Sequence, residues 1–461
     1  REMVSKNLLL GRSCQKLMSR IGQSYSSSNN ACKKLKENVS LDRQIEDKIL
    51  ENRLKPKHHP GKMGLACINL PDTLLERVQL LSDNEGMPVS SFFPDMKEFL
   101  DSLRYRQPPN RDSDIRSEAR KLYKEYLDII SSSTEFINEE NQSIEKSAEA
   151  YVITKLKSKF YHWKPLKFSK ADCFKYLFFR IPPEYAVLRQ IMSEIRIRNP
   201  SFKPNNLFDF GSGVGSSVWA AKETWNDRIK EYFLVDSNPH MLDISAKLLN
   251  DGINVGNPAA RGIFCRQFLP SSCDIRYDIV VCAYSMLELP DELSRLQLIK
   301  NLWDKTDKFL IIVDYNSFPV FETIVEARDF LLRYEHSSVF SPCPHEKSCP
   351  RIIRPGKNSC KSSVSFSVPR YLSRQHQAVS EPYSYVVMEK GRHKEAPKWP
   401  RIVEPVLKNR NHVICRLCCP SGNIQELIIT KHKNGRELYQ CAKQSSLGDF
   451  LPVTISQQKT E

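Results

Sequence analysis

The stretch Asn206–Ser217, Asn-Leu-Phe-Asp-Phe-Gly-Ser-Gly-Val-Gly-Ser-Ser, constrains the fold more than any other. A short apolar run ends at Phe210, glycines follow at Gly211, Gly213 and Gly215, and Val218–Trp225 has the composition of a helix. The order predicts a strand, a tight turn and a helix. Glycine admits positive φ and lets backbone approach a ligand that a Cβ would exclude, and a helix N-terminus presents N–H groups to a polar or anionic ligand. Dinucleotide-binding turns space their glycines Gly-x-Gly-x-x-Gly. Here the spacing is Gly-x-Gly-x-Gly, with Asp209 ahead of it. A second apolar run, Tyr232–Val235, closes on Asp236. Asp209, Gly211, Gly213, Gly215 and Asp236 are therefore the candidate cofactor-binding residues.

This turn resembles the first motif of class I S-adenosylmethionine-dependent methyltransferases. Val235-Asp236-Ser237-Asn238-Pro239-His240-Met241-Leu242 looks like the second motif of that class, whose acid holds the cofactor's ribose. The segments that follow alternate: helix His240–Leu249, strand 262–267, a continuous apolar strand Tyr277–Ala283, helix 290–303, strand Phe309–Val313, helix 320–334, and a sixth strand at Tyr383–Met388. Strand–helix alternation implies parallel βαβ units with right-handed crossovers, an α/β fold.

The chain has 461 residues, room for two or three domains, and no apolar run long enough to span a membrane as a helix. Its formal charge is +15, a balance that suits nucleic acid, an anionic surface or a solvated basic face. Residues 341–461 carry 20 Lys/Arg against 9 Asp/Glu, and seven of the 14 cysteines. From Met3 to Lys36 there is no acid, but there are seven Lys/Arg and many serines, the composition of a mitochondrial transit peptide. A reducing compartment argues against a disulfide framework. The expected organisation is residues 1–40 transit or disordered, 41–200 helical, 201–340 the cofactor-binding α/β domain, and 341–461 a basic, cysteine-rich, β-containing segment.

Within 41–200, Leu41–Glu51, Pro71–Ser82, Ser90–Tyr105 and Asp112–Ser131 read as helices, and 132–148 as a polar connector. His58 and His59 lack a third ligand and read as a surface loop. Ala150–Ala171 has no acid and six lysines, among them Lys155, Lys157 and Lys159, interleaved with aromatics. Lysines attract phosphates and exposed rings stack on unpaired bases, so this is a candidate RNA contact; a helix burying its aromatics gives the same pattern. Pro182-Pro183 suits the first turn of a helix continuing through Ile195.

Residues 341–361 contain four prolines and too few large apolar residues to fold unaided. Three cysteines lie there, Cys343, Cys349 and Cys360, and Cys415, Cys418 and Cys419 follow later. Thiolates ligate zinc or iron–sulfur clusters, and this loose spacing leaves both open beside buried free thiols. In the tail, Leu427–His432 and Arg436–Cys441 flank Lys433-Asn434-Gly435, a hairpin signal.

Taken together, 207–216, Pro-Glu-Tyr-Ala-Val-Leu-Arg at 183–189, Cys-Pro-His-Glu-Lys-Ser-Cys-Pro at 343–350 and His-Val-Ile-Cys-Arg-Leu-Cys-Cys-Pro at 412–420 resemble the mitochondrial methyltransferase-like small-ribosomal-subunit assembly factors. The resemblance covers roughly 150–452. It implies a matrix protein that binds small-subunit rRNA and other mitoribosome components, with an S-adenosylmethionine site and a [4Fe–4S] cluster on Cys343, Cys349, Cys360 and Cys418. Such ligation would gather Lys347, Arg351, Arg354 and Arg416 into a phosphate-contacting surface. The chain departs from catalytic methyltransferases, however. After the fourth strand stands Cys282-Ala283-Tyr284-Ser285-Met286, without the Asn/Asp-Pro-Pro-aromatic signature of amino-group methylation, and Cys265-Arg266-Gln267-Phe268 ends the third strand without an acid. No catalytic residue is evident. The leading expectation is an rRNA-binding assembly factor; the alternatives are an active rRNA methyltransferase and a zinc-stabilised RNA-binding protein with a vestigial cofactor pocket.

Overall fold

A computed structural model describes residues 37–104, 112–132, 141–159, 166–250, 257–270, 275–333, 336–353, 359–391 and 399–457. Strand β1 (Glu37–Leu41) is followed by helices Arg43–Leu50, Asp72–Asn84, Met96–Arg104, Asp112–Ser132 and Asn141–Lys159. The expected helix over 90–105 is divided, with a 3₁₀ turn at Val89–Phe92 ahead of Met96–Arg104. The expected connector 132–148 instead contains the start of the Asn141–Lys159 helix, which packs against Asp112–Ser132 through Tyr126 and Tyr151.

A long helix, Lys170–Arg198, precedes the sheet. Ser169 and Asp172 cap it reciprocally, satisfying two backbone N–H groups. The expectation that Pro182-Pro183 begins a helix is corrected, because both prolines lie inside this one. Pro182 has no N–H for the carbonyl of Phe178 four residues back. The hydroxyl of Tyr371 donates to that carbonyl instead, at 3.4 Å.

The strands that follow are β2 (Asn206–Phe210), β3 (Glu231–Val235), β4 (Ile263–Arg266), β5 (Tyr277–Ala283), β6 (Thr306–Tyr315), β7 (Ser337–Ser341), β8 (Ser362–Ser367) and β9 (Ala378–Lys390). They form one sheet in the order β4-β3-β2-β5-β6-β9-β7, with β8 also paired to β9. Strands β2 to β6 are mutually parallel, and β9 runs antiparallel between β6 and β7. Both faces are apolar, as a parallel sheet requires. Leu207, Leu234, Ile279, Ile311 and Val313 pack under the helices Lys170–Arg198, Ser216–Trp225 and Pro239–Leu249. Phe208, Val280, Cys282, Leu310 and Ile312 pack under Glu292–Asp304 and Phe318–Leu332.

The tail forms a smaller antiparallel sheet of β10 (Arg401–Ile402), β11 (Leu407–Lys408), β12 (His412–Cys418) and β13 (Ile424–Thr430). The expected hairpin at Lys433-Asn434-Gly435 is corrected: Lys431–Asn434 and Arg436–Gln444 are helices. Leu438, Tyr439, Cys441 and Ala442 are buried at helical spacing, and Thr430 caps the first turn through Lys433 N. The tail's hairpin joins β12 to β13 instead, around Gly422 at φ +86°. Strand β14 (Val453–Gln457) pairs with β1.

One buried carboxylate ties the long helix to the strands behind it. Glu194 accepts from both terminal nitrogens of Arg401 at 2.8 Å, from Ser341 at 2.7 Å, from Tyr385 at 3.2 Å and from Arg198 at 3.2 Å. Burial alone would raise its pKa, but Arg401 and Arg198 outweigh burial and hold it at about 2.

Candidate functional sites

The first site lies where the strand order reverses, between β2 and β5, at their carboxyl ends. Ligands of open α/β sheets bind at such a switch point. The three glycines have φ of +69°, +49° and +87°, and their surroundings divide their roles. A Cβ on Gly211 would stand 1.9 Å from Ser285 Oγ, and one on Gly215 would meet Ser245 and Leu249 at 2.9 and 3.0 Å. Those two glycines are demanded by packing within the protein. A Cβ on Gly213 would meet nothing nearer than the Tyr176 ring at 3.8 Å, so this glycine faces open space.

The acids hold the turn from below. Asp236 accepts from Gly213 N at 2.8 Å and Asn238 N at 2.9 Å, and keeps further lone pairs for a hydroxyl ligand. Gly211 N and Ser212 N both donate to the carbonyl of Val235, so these two N–H groups serve the turn itself. Asp209 is buried and takes a hydrogen bond from Ser217, yet its Oδ1 has no partner. Burial pushes its carboxyl up to about 7, with Asp236 and Glu184 adding to the rise against the pull of Ser217. Ser212 Oγ, Tyr284 Oη and Asp314 Oδ2 are likewise buried without partners, and burial lifts Asp314 to about 7. Unpartnered buried polar atoms concentrated at a strand-end crevice fit a polar ligand there.

Sequence reasoning missed what stands over the end of β5. Arg180, fully buried on the long helix, lies over the rings of Tyr284 and Tyr315 at 5.0 and 4.7 Å. Its Nη1 donates to Glu381 of β9 at 3.0 Å, and its Nε lies 3.4 Å from Glu184. Glu184 in turn accepts from Tyr176 and Ser216. Tyr284 sits at φ +53°, unusual for a bulky residue and a mark of a constrained position. A guanidinium packed on a tilted pair of rings, themselves 4.9 Å apart, thus stands beyond the fourth parallel strand. No local motif signalled it, because its parts come from four distant segments.

The second site is a cavity of about 40 Å³ beside the Phe318–Leu332 helix. Cys343, Cys349, Cys360 and Cys418 all line it, with His345 and Arg328. Cys415 and Cys419 are buried away from it; Cys415 alternates to the opposite face of β12 from Cys418. Burial raises the Cys349 thiol to about 11 and Cys360 to about 12, with the other cysteines adding to the rise, and lifts Cys418 further still. His345 Nε2 lies 3.3 Å from Cys418 Sγ, and burial lowers its pKa to about 4, so the ring is neutral. Among the described residues, no three His, Cys, Asp or Glu side chains converge on a single-ion site.

Two things order the proline-rich loop. Arg328, buried, donates from Nη2 to the carbonyls of His345 and Lys347 at 3.0 and 2.8 Å. Cys349 packs on Phe321 and Val325, with Cys360 at the edge of that cluster. Arg328 was invisible to a reading confined to the loop.

The expected RNA contacts are distributed. Arg351 and Arg416 come together by sharing Glu404, at 2.7 Å each, and Arg416 also pairs with Glu426 at 2.8 Å. Lys347 donates to the carbonyl of Ser421 at 3.0 Å. Lys155 is exposed on the Asn141–Lys159 helix, over the ring of Tyr151. The side chains of Lys157 and Lys159, and the whole of Arg354, lie outside the described residues. His59 is buried and bonded to Ser445, so it is not the surface loop residue expected.

The strand order, the glycine turn after the first strand and the acid closing the second define a class I methyltransferase-like α/β protein. Residues 170–452 match the family model described as mitochondrial small ribosomal subunit Rsm22, and the chain belongs to that family. It is 35% identical over 419 residues to the mitochondrial ribosome assembly protein METTL17 of Homo sapiens, covering 89% of each chain. It is 24% identical over 430 residues to the mitochondrial Rsm22-cox11 tandem protein 2 of Schizosaccharomyces pombe, covering 82% of this chain and 56% of that one. Among solved structures, magnesium protoporphyrin IX methyltransferase from Synechocystis PCC 6803 with bound SAH matches 54% of this chain and 100% of its own, at 12% identity and a TM-score of 0.30. The fold assignment rests on strand order rather than on that likeness.

Proposed function

We propose that this protein is a matrix assembly factor of the mitochondrial small ribosomal subunit. On this reading it binds small-subunit rRNA, holds S-adenosylmethionine at the glycine turn, and carries one [4Fe–4S] cluster on Cys343, Cys349, Cys360 and Cys418. Family membership supports the ribosomal role, and the observation that carries the cluster is the four thiols around one cavity. Thiols spread around a space, rather than drawn to a point, suit a polynuclear cluster better than a lone zinc, whose thiolates close to about 2.3 Å from one centre. The cysteines would bind as thiolates, the raised pKa values falling when the group is present. A bound cluster would supply binding energy that fixes the loop; the chain's own part is Arg328 holding two loop carbonyls and Cys349 anchoring the apolar side.

The glycine turn would hold the cofactor with Gly213 beneath it and Asp236 accepting from ribose hydroxyls. Arg180, packed on Tyr284 and Tyr315 after β5 where the amino-group methylation signature is absent, supports binding without methyl transfer. The basic tail would lead RNA binding and Lys155–Lys170 would add contacts, while residues 41–200, 201–340 and 341–461 would act as helical, cofactor-binding and cluster-bearing parts. The test is anaerobic purification with iron, sulfide and zinc analysis and a visible spectrum. Near four irons and four sulfides per chain are expected, about as many as one cubane holds; stoichiometric zinc without sulfide would overturn the cluster assignment.

A further inference from the structure

Among the described residues, one face of the sheet is left partly uncovered at its β4 edge. Every crossover between parallel strands normally lays a helix on the sheet. The connections from β2 to β3, β3 to β4 and β5 to β6 do so, through Ser216–Trp225, Pro239–Leu249 and Glu292–Asp304. The connection from β4 to β5 occupies only residues 267–276 and contains no helix among its described residues. The missing element would have lain over β3 and β4, on the face that Glu292–Asp304 covers further along.

A row of rings runs there from the buried core to an exposed edge. Phe208, Phe233 and Phe264 stand on that face at matched register positions of β2, β3 and β4. Phe208 and Phe233 stack with centroids 5.7 Å apart and planes 11° apart; Phe233 and Phe264 stack at 6.4 Å and 26°. The stack runs across the strands toward the edge of the sheet and ends at Phe264, which is 48% exposed. Beyond β4 stands Phe268, 79% exposed.

Charge identifies the occupant. Arg261 and Arg266, both exposed, bracket Phe264 at the two ends of β4, and no Asp or Glu occurs between Asp251 and Asp274. A ring stack that ends in an exposed ring flanked by two arginines, with Glu231 of β3 an acid beside Gly262, is complementary to a base and its neighbouring phosphates. Such surfaces take unpaired RNA, since every base has a π-face and paired bases cannot be reached. An apolar protein helix would need a broad aliphatic bed, not a strand whose alternate residues are Phe264 and Arg266.

We propose that the edge strand β4 is a single-stranded RNA contact in which an unpaired base stacks on Phe264 and adjoining phosphates meet Arg261 and Arg266. The inference rests on the RNA-binding reading above and adds a surface distinct from the basic tail. The test is fluorescence anisotropy of the full chain with a labelled, unstructured single-stranded RNA of about 12 nucleotides, within the site sizes of stacking surfaces, and with a duplex of equal length. Phe264→Leu keeps an apolar side chain of similar bulk but has no ring. It should weaken single-strand binding about tenfold, the order of one base–ring stack, and leave duplex and S-adenosylmethionine binding unchanged. Phe264→Trp should retain or improve single-strand binding. Wild-type binding that Phe264→Leu leaves intact overturns the stack alone, and a small-subunit protein photocrosslinked at position 264 in place of RNA overturns it in favour of a protein face. Failure of the wild type to bind any RNA overturns the parent reading as well.

Discussion

The glycine turn and the cysteine cavity are both incomplete, but in opposite senses. At the turn the scaffold is finished: Val235 takes two N–H groups, Asp236 takes two more, and packing fixes Gly211 and Gly215. What remains open are polar atoms, Asp209 Oδ1 and Ser212 Oγ, buried without a partner beside the turn. In the cavity burial raises the Cys349 and Cys360 thiols, and the scaffold is itself a proline-rich loop held by Arg328 and by the packing of Cys349 on Phe321 and Val325. A ligand at the turn would enter a preformed place; a ligand in the cavity would complete the fold around it. The two sites should therefore respond differently to losing their groups.

The largest contrast is expected between ligand-stripped states. If the proposed cluster is carried, its chelation, or Cys418→Ser, should open the loop to protease and lower RNA affinity more than tenfold, since binding of such a group would then be folding free energy. Removal of S-adenosylmethionine should leave the digestion pattern unchanged. Mass spectrometry of the fragments checks both. Equal protection of the loop with and without metal would erase the distinction between the sites.

Next in size is the buried pair that anchors the strands beneath the cavity. Arg401→Met leaves Glu194 with Arg198 as its only cation and should cost about 3–5 kcal/mol in denaturant unfolding, the usual penalty of breaking a buried pair. The pH profile sharpens this. The folded pKa of Glu194, about 2, lies below its ordinary value of 4.5, so its contribution is complete above 4.5 and is lost as pH falls from there toward 2. Glu194→Gln should flatten stability across that window; an unchanged acid limb would show that other carboxylates govern it.

The smallest effect separates the glycines. Gly213→Ala should weaken S-adenosylmethionine binding about tenfold by calorimetry and lower melting only by the strain of holding Ala at φ +49°, because its Cβ meets nothing nearer than the Tyr176 ring at 3.8 Å. Gly211→Ala should instead lower the melting temperature by several degrees, as a forced contact costing about 1–3 kcal/mol would. The same outcome at both positions would mean that neither faces a ligand.

What the sequence disclosed follows the same divide. Strands β2, β3, β5 and β6 and the glycine turn were legible because their signals are local: an apolar run, a glycine spacing and an acid a few residues away. Four of the cavity's cysteines were legible as residue types, but Arg328 and His345 were not assigned, since their meaning depends on a helix and a loop that meet only in the fold. Pro182-Pro183 misled because the compensating hydroxyl, Tyr371, lies 193 residues away. Asn434-Gly435 misled because a short amphipathic helix and a short strand place apolar residues almost alike until burial distinguishes them. The ring stack on β4 was seen only as a missing acid, Cys265-Arg266-Gln267-Phe268, because the absence of a crossover helix cannot be read from the strand itself.

Glu194 and Arg401 are 207 residues apart, and Arg180 and Glu381 are 201 apart. On a ribosome the long helix therefore emerges well before the partners that neutralise two of its buried charges. Until residue 401 has emerged, Glu194 lacks Arg401. These two pairings are non-local contacts of the kind that slow folding, and the helix's buried charges wait on both.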